Sequence, residues 1–331
     1  MTSAPKVSVV IPVWNGREHL SMVLSSLRAQ TADDFDVTVV DNGSTDGTSD
    51  YLEEEWPEVR VVPLPENLGY AGGAARGIEA TSGEHVAFLN DDMELEPDWI
   101  ERLAAELDRD PGLGVVTSKV MFHRDRTLIY QAGYEYYVYG WCATRGVHEP
   151  DEGQYDVRLP SVGGTGAGSI YRRAALERAG GFDPDYFMYC EEVDAGLRVL
   201  MAGYAGLYLP SPIAFHVAGA KTGGTPDLQR RLFYRNQLVT WVKDVPWSIL
   251  WRAAPKALLY LHHQYAVERA NGTPQVALRA YTEFLEMLPA TLRKRRSVMR
   301  SRTISVPELR SMMRADYPFP TRFKRLAGAA N

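Results

Sequence analysis

Short apolar runs alternate with segments of helical periodicity over residues 7 to 120, and this alternation constrains the fold more than any other feature. Four runs have the length and composition of buried strands: residues 7–11, 37–40, 59–62 and 85–89. After the first run, apolar side chains recur at the spacing of one helix face: Leu20, Val23, Leu24 and Leu27. Repeated strand–helix units build parallel sheets. The pattern therefore predicts an α/β fold with a Rossmann-like, mostly parallel sheet flanked by helices.

The rest of the chain follows two other patterns. Residues 121 to 225 are irregular and rich in aromatic side chains, which is typical of a substrate-facing region. Residues 226 to 331 have the composition of helices and include a basic end. We therefore expect three segments, 1–120, 121–225 and 226–331, of which the last is a C-terminal helical extension.

Composition excludes several classes of protein. The 331 residues are 45% apolar and 24% charged, as in ordinary globular proteins, and no stretch is long and apolar enough to predict a membrane span. The net charge of -6 argues against a general nucleic-acid binder. The two cysteines, Cys142 and Cys190, cannot form a disulfide framework and lack metal-ligand spacing. Together these features predict a cytoplasmic protein.

A basic segment near the C-terminus needs its own explanation, because residues 291–302 hold six arginines and lysines and no acid. The segment can be a solvated helix face, a contact for nucleic acid, or a contact for anionic lipid headgroups at the inner face of the cell membrane. The net acidity weakens the second alternative. Trp247, Trp251 and Tyr260 suit a peripheral membrane contact, and they equally suit helix packing or a homo-oligomer interface.

Polar side chains follow each of the four predicted strands. In chain order these are Trp14 and Asn15, then Asp41, Asn42 and Ser44, then Asn67, and finally Asn90, Asp91 and Asp92. Because the carboxyl ends of parallel strands meet at one sheet edge, we expect these side chains to converge. An aromatic ring there can stack on a base, and a carboxylate can accept from a base N–H or a ribose hydroxyl. The sequence therefore predicts a nucleotide pocket.

The way the phosphates are held separates the classes of nucleotide enzyme. The segment after the first strand reads Pro12-Val-Trp-Asn-Gly16, which is neither the glycine fingerprint of a dehydrogenase nor a Walker loop. The Asn90-Asp91-Asp92 segment can be a solvated turn, since these residues are common in turns. It can also bind Mg²⁺ or Mn²⁺ shared with a diphosphate, because these ions take one or two carboxylates and leave other positions to phosphate.

Seven segments in this order and spacing resemble the family 2 inverting glycosyltransferases of GT-A fold. They are Val9-Val-Ile-Pro-Val-Trp-Asn15, Val39-Val-Asp-Asn-Gly-Ser-Thr-Asp46, Asn67-Leu-Gly-Tyr-Ala-Gly-Gly73, Phe88-Leu-Asn-Asp-Asp92, Gly180-Gly-Phe-Asp183, Glu191-Glu-Val-Asp194 and His216. The resemblance covers residues 7 to 225. The tail looks like that of bacterial rhamnosyltransferase-like members that work on cell-surface polysaccharides.

The resemblance implies a metal site for Mg²⁺ or Mn²⁺. The family's metal motif falls on Asn90, Asp91 and Asp92, with Asn90 where many members have an aspartate. It makes Asp92 the principal metal ligand and His216 a further ligand, while Asp91 would either lie nearer the ribose or hydrogen-bond to a metal ligand from outside the coordination sphere. A lone loop histidine is more often structural, and the motif match reverses that expectation for His216.

The resemblance also implies the catalytic and donor-binding residues. Glu192 falls where the family carries its base, and Glu191 is the neighbouring candidate; alternatively the acidic cluster caps a helix over residues 195–202, a role we expect for Asp194. The donor nucleotide would contact the strand-end residues together with Arg76: Pro12, Trp14, Asn15, Asp41, Ser44, Asn67, Asn90 and Asp91. Arg76 and Lys221 are candidate phosphate clamps or solvated surface residues.

The function implied is transfer of a sugar from a nucleotide-diphosphate donor to a hydroxyl of a glycan or lipid-linked saccharide. Residues 1–120 would bind the donor and 121–225 the acceptor, with no nucleic-acid partner. Two alternatives belong to other classes. One is a catalytically silent scaffold with the same fold, and the other is a sugar-1-phosphate nucleotidyltransferase, which should carry a glycine-rich, basic first loop.

Overall fold

The computed structural model describes residues 4–164, 168–218 and 225–315. The strands are β1 Val7–Val13, β2 Phe35–Asp41, β3 Arg60–Pro63, β4 His85–Phe88, β5 Met93–Leu95, β6 Leu113–Phe122, β7 Ile129–Gln131, β8 Tyr134–Tyr136, β9 Cys142–Thr144, β10 Leu159–Pro160, β11 Ser169–Arg172 and β12 Ala205–His216. The helices are α1 Arg17–Arg28, α2 Thr48–Glu55, α3 Gly69–Ala80, α4 Trp99–Arg109, α5 Arg173–Arg178, α6 Glu191–Met201, α7 Pro226–Asp244, α8 Trp247–Ala270, α9 Pro274–Ser301 and α10 Val306–Met312. A short 3₁₀ turn occupies Pro184–Tyr186.

One large sheet contains most of the strands between residues 7 and 216. Its strand order is β10-β12-β6-β11-β4-β1-β2-β3, with β5 added to β12 and β7 added to β6. Strands β1 to β4 are parallel to one another, β11 runs against them, and β6 and β12 resume the first direction. The predicted α/β architecture with a mostly parallel sheet is confirmed, and all four predicted strands are present.

Helix α1 shows why the periodic segments pack as they do. The four apolar residues predicted for its inner face, Leu20, Val23, Leu24 and Leu27, are buried. They pack in one core with the fully buried strand β1 and with α4. Burying an aliphatic side chain of this size contributes roughly 1.5–3 kcal/mol. The helix therefore holds the start of the sheet in place, and with it the loop that follows β1.

Strand β5 brings distant parts of the chain together. It follows β4 after a short turn and pairs antiparallel with the end of β12, so that Met93 lies opposite His216. The backbone N–H of Val217 donates to the carbonyl of Asp92 at 3.1 Å. The ends of β4 and β12 are thereby fixed side by side, although 126 residues separate Asn90 from His216.

The C-terminal helices share a core with the region before them. One buried cluster joins side chains of α6, α7, α8 and the β8–β9 hairpin, including Tyr186, Cys190, Val239 and Ile249. The expected segment boundary at residue 120 falls inside β6. No helix among the described residues has both the length and the apolar character needed to cross a membrane.

The helix expected over residues 195–202 begins four residues earlier, at Glu191. The acidic cluster therefore forms the first turn of α6 and does not precede the helix. Negative side chains in a first turn interact favourably with the helix macrodipole. The expected capping role of Asp194 is wrong in detail. Its fully buried carboxylate pairs with Arg198 and with the Lys243 ammonium at 2.5 Å, and it does not cap the helix.

Candidate active site

A cleft of about 570 Å³ opens at the carboxyl ends of the central strands. Ten of the residues predicted from the sequence line it: Pro12, Trp14, Asn15, Asn67, Asn90, Asp91, Asp92, Glu191, Glu192 and His216. Its size is in the range of sites that bind small molecules. The convergence expected from the strand ends is therefore present in the fold.

The predicted metal-ligating side chains meet at the bottom of this cleft. The Nε2 atom of His216 lies 2.8 Å from Oδ1 of Asp92 and 3.2 Å from the Nδ2 atom of Asn90. Asp92 and His216 are only 5% and 6% exposed. The carboxylate oxygen and the imidazole nitrogen therefore offer two adjacent ligand atoms to one cation.

These residues fit a small divalent ion. Oxygen and imidazole nitrogen are the ligands that Mg²⁺ and Mn²⁺ accept, and two adjacent ligands of one octahedral ion lie roughly 3 Å apart. The 2.8 Å between Asp92 and His216 matches that separation. The Asn90 side chain places its nitrogen toward His216, and rotation of this amide by half a turn would present its oxygen instead.

A second acidic cluster in the described part of the chain does not belong to this site. Glu84, His85 and Asp108 approach one another at the opposite end of β4. The Lys6 ammonium lies 2.8 Å from Glu84 and 2.7 Å from Asp108. A protein cation therefore already balances this cluster, which we interpret as structural.

Asp91 lies against the start of α1. A side chain at position 16 would overlap its carboxylate, so the glycine there permits the approach. Burial, followed by the charge of Asp92, raises the pKa of Asp91 to about 7. Two adjacent carboxylates in a buried site repel each other, and a bound cation would relieve that repulsion.

Glu191 and Glu192 line the cleft from the first turn of α6. The Tyr134 hydroxyl donates to Oε1 of Glu192 at 2.7 Å, while Oε2 of each glutamate has no partner among the described residues. Burial and then the charge of Glu192 hold the pKa of Glu191 well above its usual range. Burial also raises the pKa of Glu192, and the hydrogen bond from Tyr134 opposes that rise. Burial thus favours the neutral form of both glutamates, and the Tyr134 hydroxyl favours ionisation of Glu192.

Tyr130 connects the two halves of the site. Its ring packs edge-on against His216, with 4.5 Å between ring centroids. Burial and then the charges of Asp92 and Glu192 raise the pKa of its hydroxyl. Tyr130 therefore contacts His216 and lies within the influence of the carboxylates of both Asp92 and Glu192.

Three predicted residues that the structure describes do not line the cleft: Asp41, Ser44 and Arg76. Asp41 accepts from the Ser44 backbone at 2.9 Å, and the Ser44 hydroxyl accepts from the Asn15 backbone at 2.9 Å. These two residues therefore shape the loop that carries Asn15. Arg76 is exposed on α3 and pairs with Glu79 at 2.8 Å. Lys221 lies outside the described residues.

The loop before α6 has an unusual backbone. Phe187, Tyr189 and Cys190 all have positive φ, at 61°, 71° and 65°. Such conformations cost of order 1–3 kcal/mol each outside glycine and persist only where surrounding contacts impose them. The contacts come from α7. The buried Asn236 amide nitrogen lies 3.0, 2.8 and 2.7 Å from the carbonyls of Tyr186, Met188 and Tyr189.

Sequence reasoning did not assign roles to Tyr130, Tyr134 or Asn236. The aromatic stretch that contains the two tyrosines was visible, and it indicated a substrate-facing region. Their partners are 86 and 58 residues away along the chain, at His216 and Glu192, and no local pattern reports such contacts. Asn236 stands in an ordinary helical segment, where an asparagine is not distinctive.

The model of the family described as "Glycosyl transferase family 2" matches residues 8–180, which is more than half of the chain. The chain is a family 2 glycosyltransferase. The matched range includes Asn90, Asp91 and Asp92 and ends before the glutamate pair.

Two curated relatives support the assignment. An N-acetylglucosaminyl-diphospho-decaprenol L-rhamnosyltransferase of Mycobacterium tuberculosis is 30% identical over 240 residues, which are 66% of this chain and 78% of the relative. An O-antigen biosynthesis protein of Myxococcus xanthus is also 30% identical, over 60% of this chain and 16% of its own length.

Solved structures show the GT-A fold. A mannosyltransferase of Pyrobaculum calidifontis in complex with GDP-Man and Mn²⁺ superposes with a TM-score of 0.55 at 20% identity, covering 91% of this chain and 86% of that one. GalNAc-T7 with UDP, GalNAc and Mn²⁺ gives a TM-score of 0.57 at 17% identity, covering 72% and 47%. The predicted fold and enzyme class are confirmed for this glycosyltransferase.

Tyr134→Phe is expected to shift the pH profile of the glycosyltransferase. Because the tyrosine hydroxyl stabilises ionised Glu192, its loss raises the pKa of that carboxyl. A hydrogen bond to a charged group contributes about 1.5–3 kcal/mol, or roughly one to two pH units. If Glu192 must be ionised, the acid limb of kcat/KM moves to higher pH by that amount. Tyr234→Phe, which removes a tyrosine–glutamate bond to Glu268 in the helical region, is the matched control. An unmoved acid limb would contradict the role of Tyr134.

Asn236→Ala is expected to lower kcat by roughly 10- to 100-fold without weakening donor binding, because small displacements of a catalytic group are costly. The variant removes the side-chain donor of the Met188 and Tyr189 carbonyls, so the free energy of unfolding should also fall by about 1–3 kcal/mol. Gln264→Ala removes another buried amide, bonded to Gln237 and Tyr260, which does not contact the turn. Equal loss of kcat in both variants would show a general stability effect instead of positioning.

Proposed function

We propose that this glycosyltransferase is metal-dependent and inverting, and that it transfers a sugar from a nucleotide-diphosphate donor to a hydroxyl of a glycan or lipid-linked saccharide. One observation carries the proposal. A carboxylate–imidazole pair suited to a divalent ion and a carboxylate suited to a base line the same cleft, and Tyr130 is influenced by both.

Asp92 and His216 would hold the ion, with Asn90 beside them, and Mg²⁺ or Mn²⁺ bound there would stabilise the charge of the leaving diphosphate. The half-buried Trp14 is available to stack on the base of the donor, and Asn15 and Asn67 offer amides to the nucleoside. Asp91 also lines the cleft and would accept a hydrogen bond from a ribose hydroxyl.

Glu192 supplies the base. Glu192 lines the cleft, and its buried Oε2 atom, which has no hydrogen-bond partner among the described residues, would accept the proton of the acceptor hydroxyl. The acceptor oxygen then forms a bond to the anomeric carbon while the bond from that carbon to the phosphate oxygen breaks. The nucleoside diphosphate leaves with the electron pair, and attack from the opposite side inverts the anomeric centre. No covalent sugar–enzyme intermediate is required.

The acceptor class rests on the relatives. The mycobacterial enzyme is named for transfer of L-rhamnose to a decaprenol-linked sugar, and the Myxococcus protein for O-antigen biosynthesis. We therefore propose a role in bacterial cell-surface polysaccharide synthesis, on the cytoplasmic side of the membrane where nucleotide sugars are made.

The test is a donor panel with purified protein. Nucleotide-diphosphate derivatives of rhamnose, mannose and N-acetylgalactosamine are added with Mn²⁺ or with EDTA, and the melting temperature is measured. A donor at 100 times its Kd stabilises the folded state by about 2.7 kcal/mol. We expect stabilisation that EDTA removes, and a product whose anomeric configuration is opposite to that of the donor. Stabilisation unaffected by EDTA, or retention of configuration, would overturn the proposal.

A further inference from the structure

The exposed apolar side chains of the molecule are concentrated on two helices. Eight large hydrophobic residues are exposed among those that the structure describes, and six of them lie on α8 and α9: Trp247, Trp251, Leu258, Leu259, Leu278 and Leu285. Trp251 is 73% exposed, and Leu258 and Leu259 are each 67% exposed. Single exposed hydrophobic residues are ordinary, whereas a contiguous group marks an interaction surface.

On α8 three of these side chains form one stripe. Positions 247, 251 and 258 fall within about 40° of one another around the helix and span roughly 17 Å of its length, and Leu259 lies about 100° to one side of them. Trp247 and Trp251 stack with their ring centroids 5.9 Å apart. We call this stripe, with the exposed leucines of α9, the apolar face.

A cluster of basic side chains adjoins the apolar face. The guanidinium of Arg295 lies 4.1 Å from the centroid of the Trp247 ring, so the last turns of α9 run beside the first turns of α8. Lys294 and Arg295 are used internally, by Asp183 and Asp185 and by two backbone carbonyls. Four arginines remain exposed here and pair with no carboxylate in the described chain: Arg252, Arg293, Arg296 and Arg300.

This combination fits one kind of partner better than others. Tryptophan rings lie favourably at the boundary between headgroups and acyl chains, and arginines beside them attract anionic headgroups. A second copy of the chain docked on the same face would bring two sets of unpaired arginines together, which opposes association. The apolar residues and the charges are complementary to an anionic bilayer.

We propose that the apolar face and the adjoining arginines of α8 and α9 dock the protein on an anionic lipid bilayer. The contact is peripheral, with the tryptophan and leucine side chains entering the headgroup boundary. The proposal does not depend on the donor, metal or base assignments, because lipid binding can be measured without any of them.

The experiment is sedimentation of the full chain with vesicles of phosphatidylcholine alone and of an equal mixture with phosphatidylglycerol. We expect binding to the mixed vesicles that weakens with added salt, and little binding to the neutral ones. Each basic residue near the surface contributes roughly five-fold in affinity, so Arg296→Ala/Arg300→Ala should bind about 25-fold more weakly. Trp251→Ala should bind roughly ten-fold more weakly.

Two controls match these variants. Val157→Ser removes an exposed hydrophobic side chain from another surface, and Arg178→Ala removes an exposed arginine from α5. Both should bind vesicles like the wild type. Trp251→Ala should keep donor binding, since Trp251 does not line the cleft.

Three results would overturn the proposal. The first is no binding to the anionic vesicles. The second is equal loss of binding in the controls and the α8 or α9 variants. The third is a dimer in solution that Trp251→Ala dissociates while vesicle binding is absent, which would make this face a subunit interface. None of these results would affect metal-dependent donor binding, so the proposed function is tested separately.

Discussion

A Glu192→Gln enzyme is expected to lose turnover by a factor of about 10³ and to keep its affinity for the donor. General bases contribute roughly 10²- to 10⁴-fold to rate. The substitution conserves size and can still accept a hydrogen bond from Tyr134, so the shape of the cleft is maintained. Single-turnover transfer with a saturating donor measures the loss, and calorimetric titration with the nucleoside diphosphate measures the affinity.

Glu191→Gln is the matched control, because the two glutamates are adjacent and line the same cleft. Burial and the neighbouring charge favour the neutral form of Glu191, and a neutral carboxyl and an amide have similar shape and hydrogen-bonding capacity. We therefore expect Glu191→Gln to cost less than about ten-fold. If Glu191→Gln abolished transfer and Glu192→Gln did not, the base would be Glu191. Full activity in both variants would show that neither glutamate is the general base.

Asp92→Ala is expected to remove most of the metal-dependent donor affinity. The substitution deletes the carboxylate that lies 2.8 Å from Nε2 of His216. Losing even an outer partner of a metal ligand typically costs 10- to 100-fold in metal affinity, so loss of the ligand itself should cost about 100-fold or more. Titration of the nucleoside diphosphate with and without Mn²⁺ measures the metal-dependent part.

Asp108→Ala provides the comparison for Asp92, since Asp108 belongs to the acidic cluster at the far end of β4. It should leave the metal dependence unchanged. A drop in affinity for Asp108→Ala equal to that for Asp92→Ala would show that the site at the cleft was wrongly assigned. If Asp92→Ala left the metal-dependent affinity for the nucleoside diphosphate unchanged, Asp92 would not be a metal ligand.

The parts of the structure that follow from local pattern were predictable. Strands β1 to β4 and helix α1 have simple apolar periodicity, and the rule that parallel strands end at one edge placed Trp14, Asn67 and Asp92 together. Identification of Glu192 and His216 required resemblance to a family, because nothing in their immediate neighbourhoods distinguishes them from a capping residue or a structural histidine.

The remaining features depend on tertiary contacts. The Arg76 side chain is exposed on α3 and pairs with Glu79, so it does not line the cleft. Apolar periodicity does not reveal this orientation. The start of α6 was placed too late because Cys190 and Tyr189 adopt left-handed conformations imposed from outside the segment. The buried pairing of Asp194 with Lys243 joins residues from α6 and α7, and charge patterning along one helix cannot show it.

The contacts of Asn236 with the 186–189 turn also bear on how segments can be exchanged among relatives. The family match ends at residue 180. The C-terminal helices beyond it could therefore be taken for a separate segment that can be exchanged to change the acceptor. Yet the turn that presents the glutamate pair takes its shape from α7. In a chimera joined at residue 225, the 186–189 turn would come from one parent and Asn236, which contacts its carbonyls, from the other. Recombination should therefore keep residues 180 to 244 from a single parent and place the junction after α7.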